Sequence, residues 1–224
     1  MRMRRKPWAR PELDASDIYI KNPYDYFGDW QRAFAKNQPL HIELGCGKGG
    51  FISKKAVQNP DINYLAFDIK SEVLATAKRN IEAEYAKVER VPENVKLAAF
   101  DIERILLVIS EKDKAQRIYI NFCNPWPKKS HQKRRLTHPK QLEHYKEFLA
   151  QDGQVYFKTD DDELFADSLE YFAQSGYSVD FITYDMENSP LPQNVVTEHE
   201  QMFMQDGKKI KGLIASYTSE GKGI

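Results

Sequence analysis

A short apolar strand, Leu40-His41-Ile42-Glu43-Leu44, runs without a spacer into Gly45-Cys46-Gly47-Lys48-Gly49-Gly50, and a helical pattern begins at Phe51. Glycine permits a tight turn and lets the backbone approach a ligand closely. Strand, glycine turn and helix in that order commit this region to a βα unit. The pattern then repeats. Ile62–Phe67, Val95–Ala99, Arg117–Phe122 and Gln154–Lys158 read as strands. Helical patterns are expected over Phe51–Gln58, Ser71–Lys87, Ile102–Ser110, Pro139–Ala150 and Asp161–Gln174, with Ser71 as the expected cap of the long helix carrying Val73, Leu74, Ala77 and Ile81. Val179–Thr183 and Ile210–Tyr217 are expected to close the sheet as an antiparallel pair, joined by a long connection containing Pro190 and Pro192. Such alternation predicts an α/β fold with a mostly parallel seven-stranded sheet and helices on both faces. Ligands of such sheets bind outside the carboxyl ends of the strands.

Composition narrows the class. The chain has 224 residues, 41% hydrophobic and 29% charged, which suits one soluble globular domain. We expect that domain over residues 37–219, after a basic and aromatic extension at 1–36 and before a tail at 220–224. Tyr24, Tyr26, Phe27 and Trp30 in the extension are expected to pack rather than to bind. No apolar run is long enough to span a bilayer, and the basic N-terminus lacks the apolar stretch of a signal peptide, so no membrane partner is expected. Two cysteines, Cys46 and Cys123, make neither a disulfide framework nor a zinc pattern, and the five histidines show no ligand spacing. A cytoplasmic protein without a metal is the expectation. Net charge is zero, yet basic residues crowd the N-terminus, 128–140 and 208–211, a distribution that allows local, salt-sensitive RNA binding.

Polar residues end successive strands. Gly45, Gly47 and Gly50 form G-x-G-x-x-G, and Asp68 ends the next strand, a spacing that by itself does not separate NAD from S-adenosylmethionine. Glu43, two residues before the first glycine, favours the second, whose sulfonium and amino groups are cations. Asp68 is placed to accept hydrogen bonds from a ribose diol, and Asp101 to meet an adenine amino group. After the fourth strand, Asn124-Pro125-Trp126-Pro127 fixes an amide and an indole against the cations Lys128, Lys129, Lys133, Arg134 and Arg135. A flat hydrogen-bonding group, an aromatic face and dense positive charge suit a nucleobase on a phosphate chain.

Together, Ile42–Gly49, Asn121–Lys129 with Lys133–Leu136, Phe157-Lys158-Thr159-Asp160 and Thr197-Glu198-His199-Glu200 resemble the bacterial tRNA (guanine-N7)-methyltransferase family over roughly residues 39–217. The glycine turn is generic to methyltransferases; the Pro-Trp-Pro-Lys segment with its basic tail is specific to this family. The resemblance implies a Rossmann-like class I methyltransferase fold and methyl transfer from S-adenosylmethionine to N7 of a variable-loop guanine in tRNA. It implies that Glu43, Gly45, Gly47, Asp68, Asp101 and Asn124 line the cofactor pocket. By the same resemblance, Lys128, Asp160, Thr197, Glu198, His199 and Glu200 meet the guanine, and Ser130, His131, Gln132, Lys133, Arg134 and Arg135 lie on the RNA backbone. A monomer or homodimer is expected.

This sequence departs from the family at Asn124, where aspartate is usual. Asparagine keeps a carbonyl acceptor and loses the charge. Guanine N7 offers an in-plane lone pair and carries no proton, so no general base is required, and the expectation is retained activity with a possible reduction in rate. Rivals are a methyltransferase of another RNA base, an NAD-linked oxidoreductase, and a non-catalytic RNA-binding homologue weakened at Asn124.

Overall fold

The computed structural model describes residues 6–217; the tail at 220–224 and the cations Arg2, Arg4 and Arg5 lie outside them. The described chain begins with a short helix α1 (Ala9–Asp14) and a two-residue strand β1 (Tyr19–Ile20). There follow β2 (Leu40–Leu44), α2 (Gly50–Gln58), β3 (Asn63–Asp68), α3 (Ser71–Ala86), β4 (Val95–Ala99) and β5 (Ala115–Asn121). The second half holds α4 (Pro139–Phe148), β6 (Leu149–Thr159), α5 (Asp162–Gln174), β7 (Ser178–Thr183), α6 (Glu198–Gln205) and β8 (Lys211–Ser216). The strands form one sheet in the order β1-β4-β3-β2-β5-β6-β8-β7. Pairings from β1 through β6 are parallel, and β8 enters antiparallel to both β6 and β7.

Eight strands stand where seven were expected. The additional strand is β1, whose two residues pair in parallel with Leu97 and Ala98 of β4. No alternation marks so short a segment in the sequence. Farther along the extension, Trp30 is fully buried, donates from Nε1 to Val108 O at 2.7 Å and meets Phe67 edge-on. Tyr26 stacks on Trp30, whereas Tyr24 and Phe27 remain exposed. Two smaller expectations also change. Ser71 is the first helical residue rather than the cap, which is Lys70 without a side-chain bond. The segment after Asp101 is a 3-10 helix, Ile102–Leu107, capped by the Asp101 carboxylate accepting from Glu103 N at 3.1 Å.

Side-chain alternation divides the core into two layers. Ile42, Leu44, Leu65, Phe67, Ile118, Ile120, Val155 and Phe157 point to the face covered by α4 and α5. Tyr64, Ala66, Tyr119 and Tyr156 point to the face covered by α1, α2, α3 and the segment carrying Leu191 and Val195. By the same parity, His41 and Glu43 of β2, Asn121 of β5 and Lys158 of β6 fall on this second face. Glu43, Asn121 and Lys158 therefore form a polar row near the carboxyl ends of three adjacent strands, with Glu43 and Lys158 buried and Asn121 partly so. The order 3-2-5-6 places this row at the topological switch between β2 and β5, where such sheets bind ligands.

Candidate active site

The turn after β2 is built from left-handed backbone: Gly45, Gly47 and Gly49 have φ of 81°, 53° and 75°. The turn is tied to the next strand end by Gly47 N, which donates to Asp68 Oδ2 at 3.0 Å, and by the amides of Gly45 and Cys46, both donating to Phe67 O at 2.9 Å. Gly49 also meets α3 closely. A Cβ there would lie 2.8 Å from Ala77 Cβ.

A cavity of about 230 Å³ opens beside this turn, walled by Glu43, Gly45, Gly47, Phe51, Asn121 and Phe122 and, from α6 and its cap, His199 and Thr197. Glu43 is buried, and Asn121 Nδ2 donates to its Oε1 at 2.9 Å. Its Oε2 is buried with no hydrogen-bond partner among the described residues. Burial pushes the Glu43 carboxyl up to about 7, an effect that the Asn121 bond and the charge of Lys158 only partly oppose. A buried acceptor left open in a cavity wall is a place for a cation or a donor.

The sequence-predicted residues divide in their placement. Glu43, Gly45, Gly47, Thr197 and His199 come together around this cavity. Asp68, Asp101 and Asn124 stand at neighbouring strand ends outside its wall. Asp68 holds the glycine turn and accepts from Lys70 N at 3.1 Å, and Asn124 Oδ1 accepts from Trp126 N at 3.1 Å. Lys128, Ser130, Lys133 and Arg134 are exposed, while His131 and Gln132 are half-buried. Trp126 is flanked by the Arg134 guanidinium at 5.2 Å and meets the His131 ring edge-on at 5.7 Å. Asp160 lines a separate, open cleft with Tyr184, Lys208, Lys209 and Lys211, and pairs with Lys208 at 3.6 Å. Glu198 begins α6, but its side chain lies outside what the structure describes.

Two residues expected at the RNA are committed elsewhere. Arg135 is fully buried: it donates to Pro125 O at 2.6 Å and pairs with Asp167 and Glu163, so it braces the Pro-Trp-Pro turn from beneath instead of facing phosphate. Glu200 is buried and pairs with Lys158 Nζ at 2.7 Å through Oε2, while its Oε1 accepts from Asn194 Nδ2 at 2.9 Å. Thr197 and Glu200 close a reciprocal capping box at the start of α6. Both carboxylate oxygens are engaged within the chain, and the side chain is 1% exposed. A Thr-x-x-Glu sequence is itself the signature of a helix N-terminus, the signal by which this role was legible. Asn121, Phe122, Lys158 and Asn194 were missed as site residues. Alternation from Tyr119 to Asn121 and from Tyr156 to Lys158 marks two of them. Phe122, in contrast, adopts a left-handed φ of 50° that the sequence does not announce for an aromatic residue.

A family model for methyltransferases matches residues 37–213. Among curated relatives, the tRNA (guanine-N(7)-)-methyltransferase of Clostridium beijerinckii is 58% identical over 215 residues, covering 96% of this chain and 98% of that protein. The protein of the same name from Clostridium perfringens strain SM101 is 54% identical, covering 96% of this chain and 99% of that protein. Among solved structures, an antibiotic-related methyltransferase superposes with a TM-score of 0.61 at 16% identity, covering 88% of this chain and 95% of that one, which shows a shared methyltransferase fold.

Proposed function

The chain belongs to the tRNA (guanine-N7)-methyltransferase family, and from that premise we propose that it transfers a methyl group from S-adenosylmethionine to N7 of a guanine in tRNA, using the cavity beside Glu43 for the cofactor. The observation that carries the cofactor assignment is Glu43 Oε2, a buried acceptor without a partner among the described residues, beside a glycine turn that leaves room for a ligand. A positively charged group there would satisfy that oxygen and draw the Glu43 proton off. When bound, S-adenosylmethionine supplies an electrophilic methyl group on a sulfonium.

The chain's own residues bind and orient. Glu43, Gly45 and Gly47 would hold the cationic end of the cofactor, and Asp68 and Asp101, at the neighbouring strand ends, would take its ribose and base. Guanine N7 attacks through a lone pair, so no side chain has to remove a proton, and alignment of the reactants supplies most of the acceleration. Asn124, exposed and with its carbonyl engaged by Trp126 N, carries no charge and so contributes less stabilisation of the cationic base than a carboxylate would. Lys128 and Asp160 are the groups for the guanine edge, and Ser130, Gln132, Lys133 and Arg134, with Trp126 and His131, form the RNA-facing surface. On this reading the protein works in the cytoplasm, in keeping with its two free cysteines. Among the described residues no helix is long and apolar enough to cross a membrane.

The test is methyl transfer from labelled S-adenosylmethionine to unmodified tRNA, followed by chain cleavage at 7-methylguanosine. Cleavage at one guanine is expected. Labelled tRNA that resists cleavage would move the reaction to another atom, and unlabelled tRNA would overturn the assignment.

A further inference from the structure

Residues 193–200 lie across the polar row of the sheet, and cations hold them there. Lys55 Nζ donates to Gln193 O at 2.8 Å, and Arg117 Nη1 to Gln193 Oε1 at 2.8 Å. Lys54 Nζ reaches Val196 O at 3.0 Å. At the centre, Lys158 Nζ donates to Asn194 Oδ1 at 2.9 Å and to Glu200 Oε2 at 2.7 Å, with Val195 O at 3.4 Å. Lys158 and Glu200 are 2% and 1% exposed, so the pair is removed from water altogether. Directly between these anchors sit Thr197 and His199, two of the residues that wall the cavity.

We propose that Lys158 and Glu200 are positioning residues, a buried clasp that seats Thr197 and His199 in the wall of the cofactor cavity. Helix capping alone does not explain the lysine. The capping box between Thr197 and Glu200 is complete without it. A buried ion pair also adds little net stability over an apolar pair of the same size, because both charges lose their hydration. What the pair does supply is direction: Glu200 is the third residue of α6, and Lys158 is the register partner of Asn121, the residue that holds Glu43. The clasp thus joins the Glu43 wall of the cavity to the His199 wall through one rigid strand pair.

The inference rests on the reading of this cavity as the cofactor's. Calorimetric binding of S-adenosylmethionine without RNA, to the full chain, separates the two. Lys158→Met and Glu200→Gln are each expected to weaken binding about tenfold, and the Lys158→Met/Glu200→Leu pair to be no weaker than either single change. Amide exchange should accelerate in α6 and not in α5. With inosine at the target position, which lacks the guanine 2-amino group, Glu200→Gln should show the same discrimination as the unaltered protein. Cofactor affinity unchanged in both single variants would overturn the clasp, as would a Glu200→Gln protein that binds cofactor normally but loses discrimination against inosine. Should either single variant fail to fold, Asn194→Ala removes two bonds of the clasp, one to Lys158 and one to Glu200, and is expected to weaken binding a few-fold; unchanged binding there overturns the clasp equally. Glu43→Gln separates the premises. Normal binding in that variant removes the cavity assignment, whereas weakened binding there with intact affinity in the clasp variants removes the clasp alone.

Discussion

Asn121 Nδ2 donates to Glu43 Oε1 at 2.9 Å across the two central strands, while the other oxygen of the same carboxylate is buried with no hydrogen bond among the described residues. The chain thus satisfies half of a group that it has already taken out of water. An unpaired buried acceptor costs stability, and here the cost is concentrated at the switch point of the sheet.

That arrangement has a defined pH signature. Burial raises the Glu43 carboxyl from 4.5 to about 7, so the folded protein holds this proton more tightly than the unfolded chain does. The Glu43 contribution to stability is therefore present below the lower value and is lost as pH rises through the upper one, with a slope of at most about 1.4 kcal/mol per pH unit. Affinity for a cationic cofactor runs the other way, rising with pH as the carboxylate forms. Denaturant midpoints and calorimetric binding between pH 5 and pH 8 should show both trends in the unaltered protein and neither in Glu43→Gln. Parallel profiles for the two proteins would mean that another group titrates.

Asn124→Asp should raise turnover. The Trp126 N–H can be accepted by a carboxylate oxygen as well as by the amide oxygen that accepts it now. The turn should then keep its shape while a negative charge is added beside the methylated, cationic base. Single-turnover rates at saturating tRNA are the measure. A rate equal to or below that of the unaltered protein would show that the charge is unnecessary in this chain.

Arg134 and Arg135 are adjacent in one basic run and should behave oppositely. Lys133→Ala with Arg134→Ala is expected to weaken tRNA binding and flatten its salt dependence with little change in unfolding midpoint. Arg135→Ala removes a buried guanidinium from Pro125 O, Asp167 and Glu163, and should cost roughly 2–4 kcal/mol of stability, less than a fully buried pair because both acids are partly exposed. Melting curves and salt titrations on the two proteins would expose any exchange of these roles.

The same neighbours show where the sequence was legible. From β2 to β6 the strands were readable because buried apolar runs alternate with amphipathic helices, and β7 and β8 were expected as an antiparallel pair, the arrangement they adopt. The pattern does not reveal that β8 inserts between β6 and β7, since strand order follows from long-range packing. Nor does it reveal β1, whose two buried residues are placed by pairing with β4, far away in sequence. A charge run shows that cations are present, not which one folds inward; Arg135 does so because the Pro125 carbonyl and two carboxylates of α5 meet it. Glu200 carried a capping signature, and the structure shows that capping box closed; the Lys158 partner is a long-range contact that no local pattern announces.

Gly49 offers a prediction about how the turn is held. Its φ of 75° is unfavourable for a residue with a side chain, and a Cβ would meet Ala77 Cβ at 2.8 Å and Ala77 Cα at 3.0 Å on α3. The second contact is backbone, which does not move aside without shifting the helix. Gly49→Ala should thus combine left-handed strain with a steric clash and cost roughly 2–4 kcal/mol. Adding Ala77→Gly removes the nearer contact but leaves the strain and puts a glycine within a helix, so it should restore only part of the loss. Because the turn beyond Gly49 walls the cavity, cofactor affinity should fall in step with stability across the single and double variants. Denaturant midpoints and calorimetric affinities measured together would check this. Full recovery in the double variant would mean that crowding against α3, and not the left-handed backbone, is what requires glycine here.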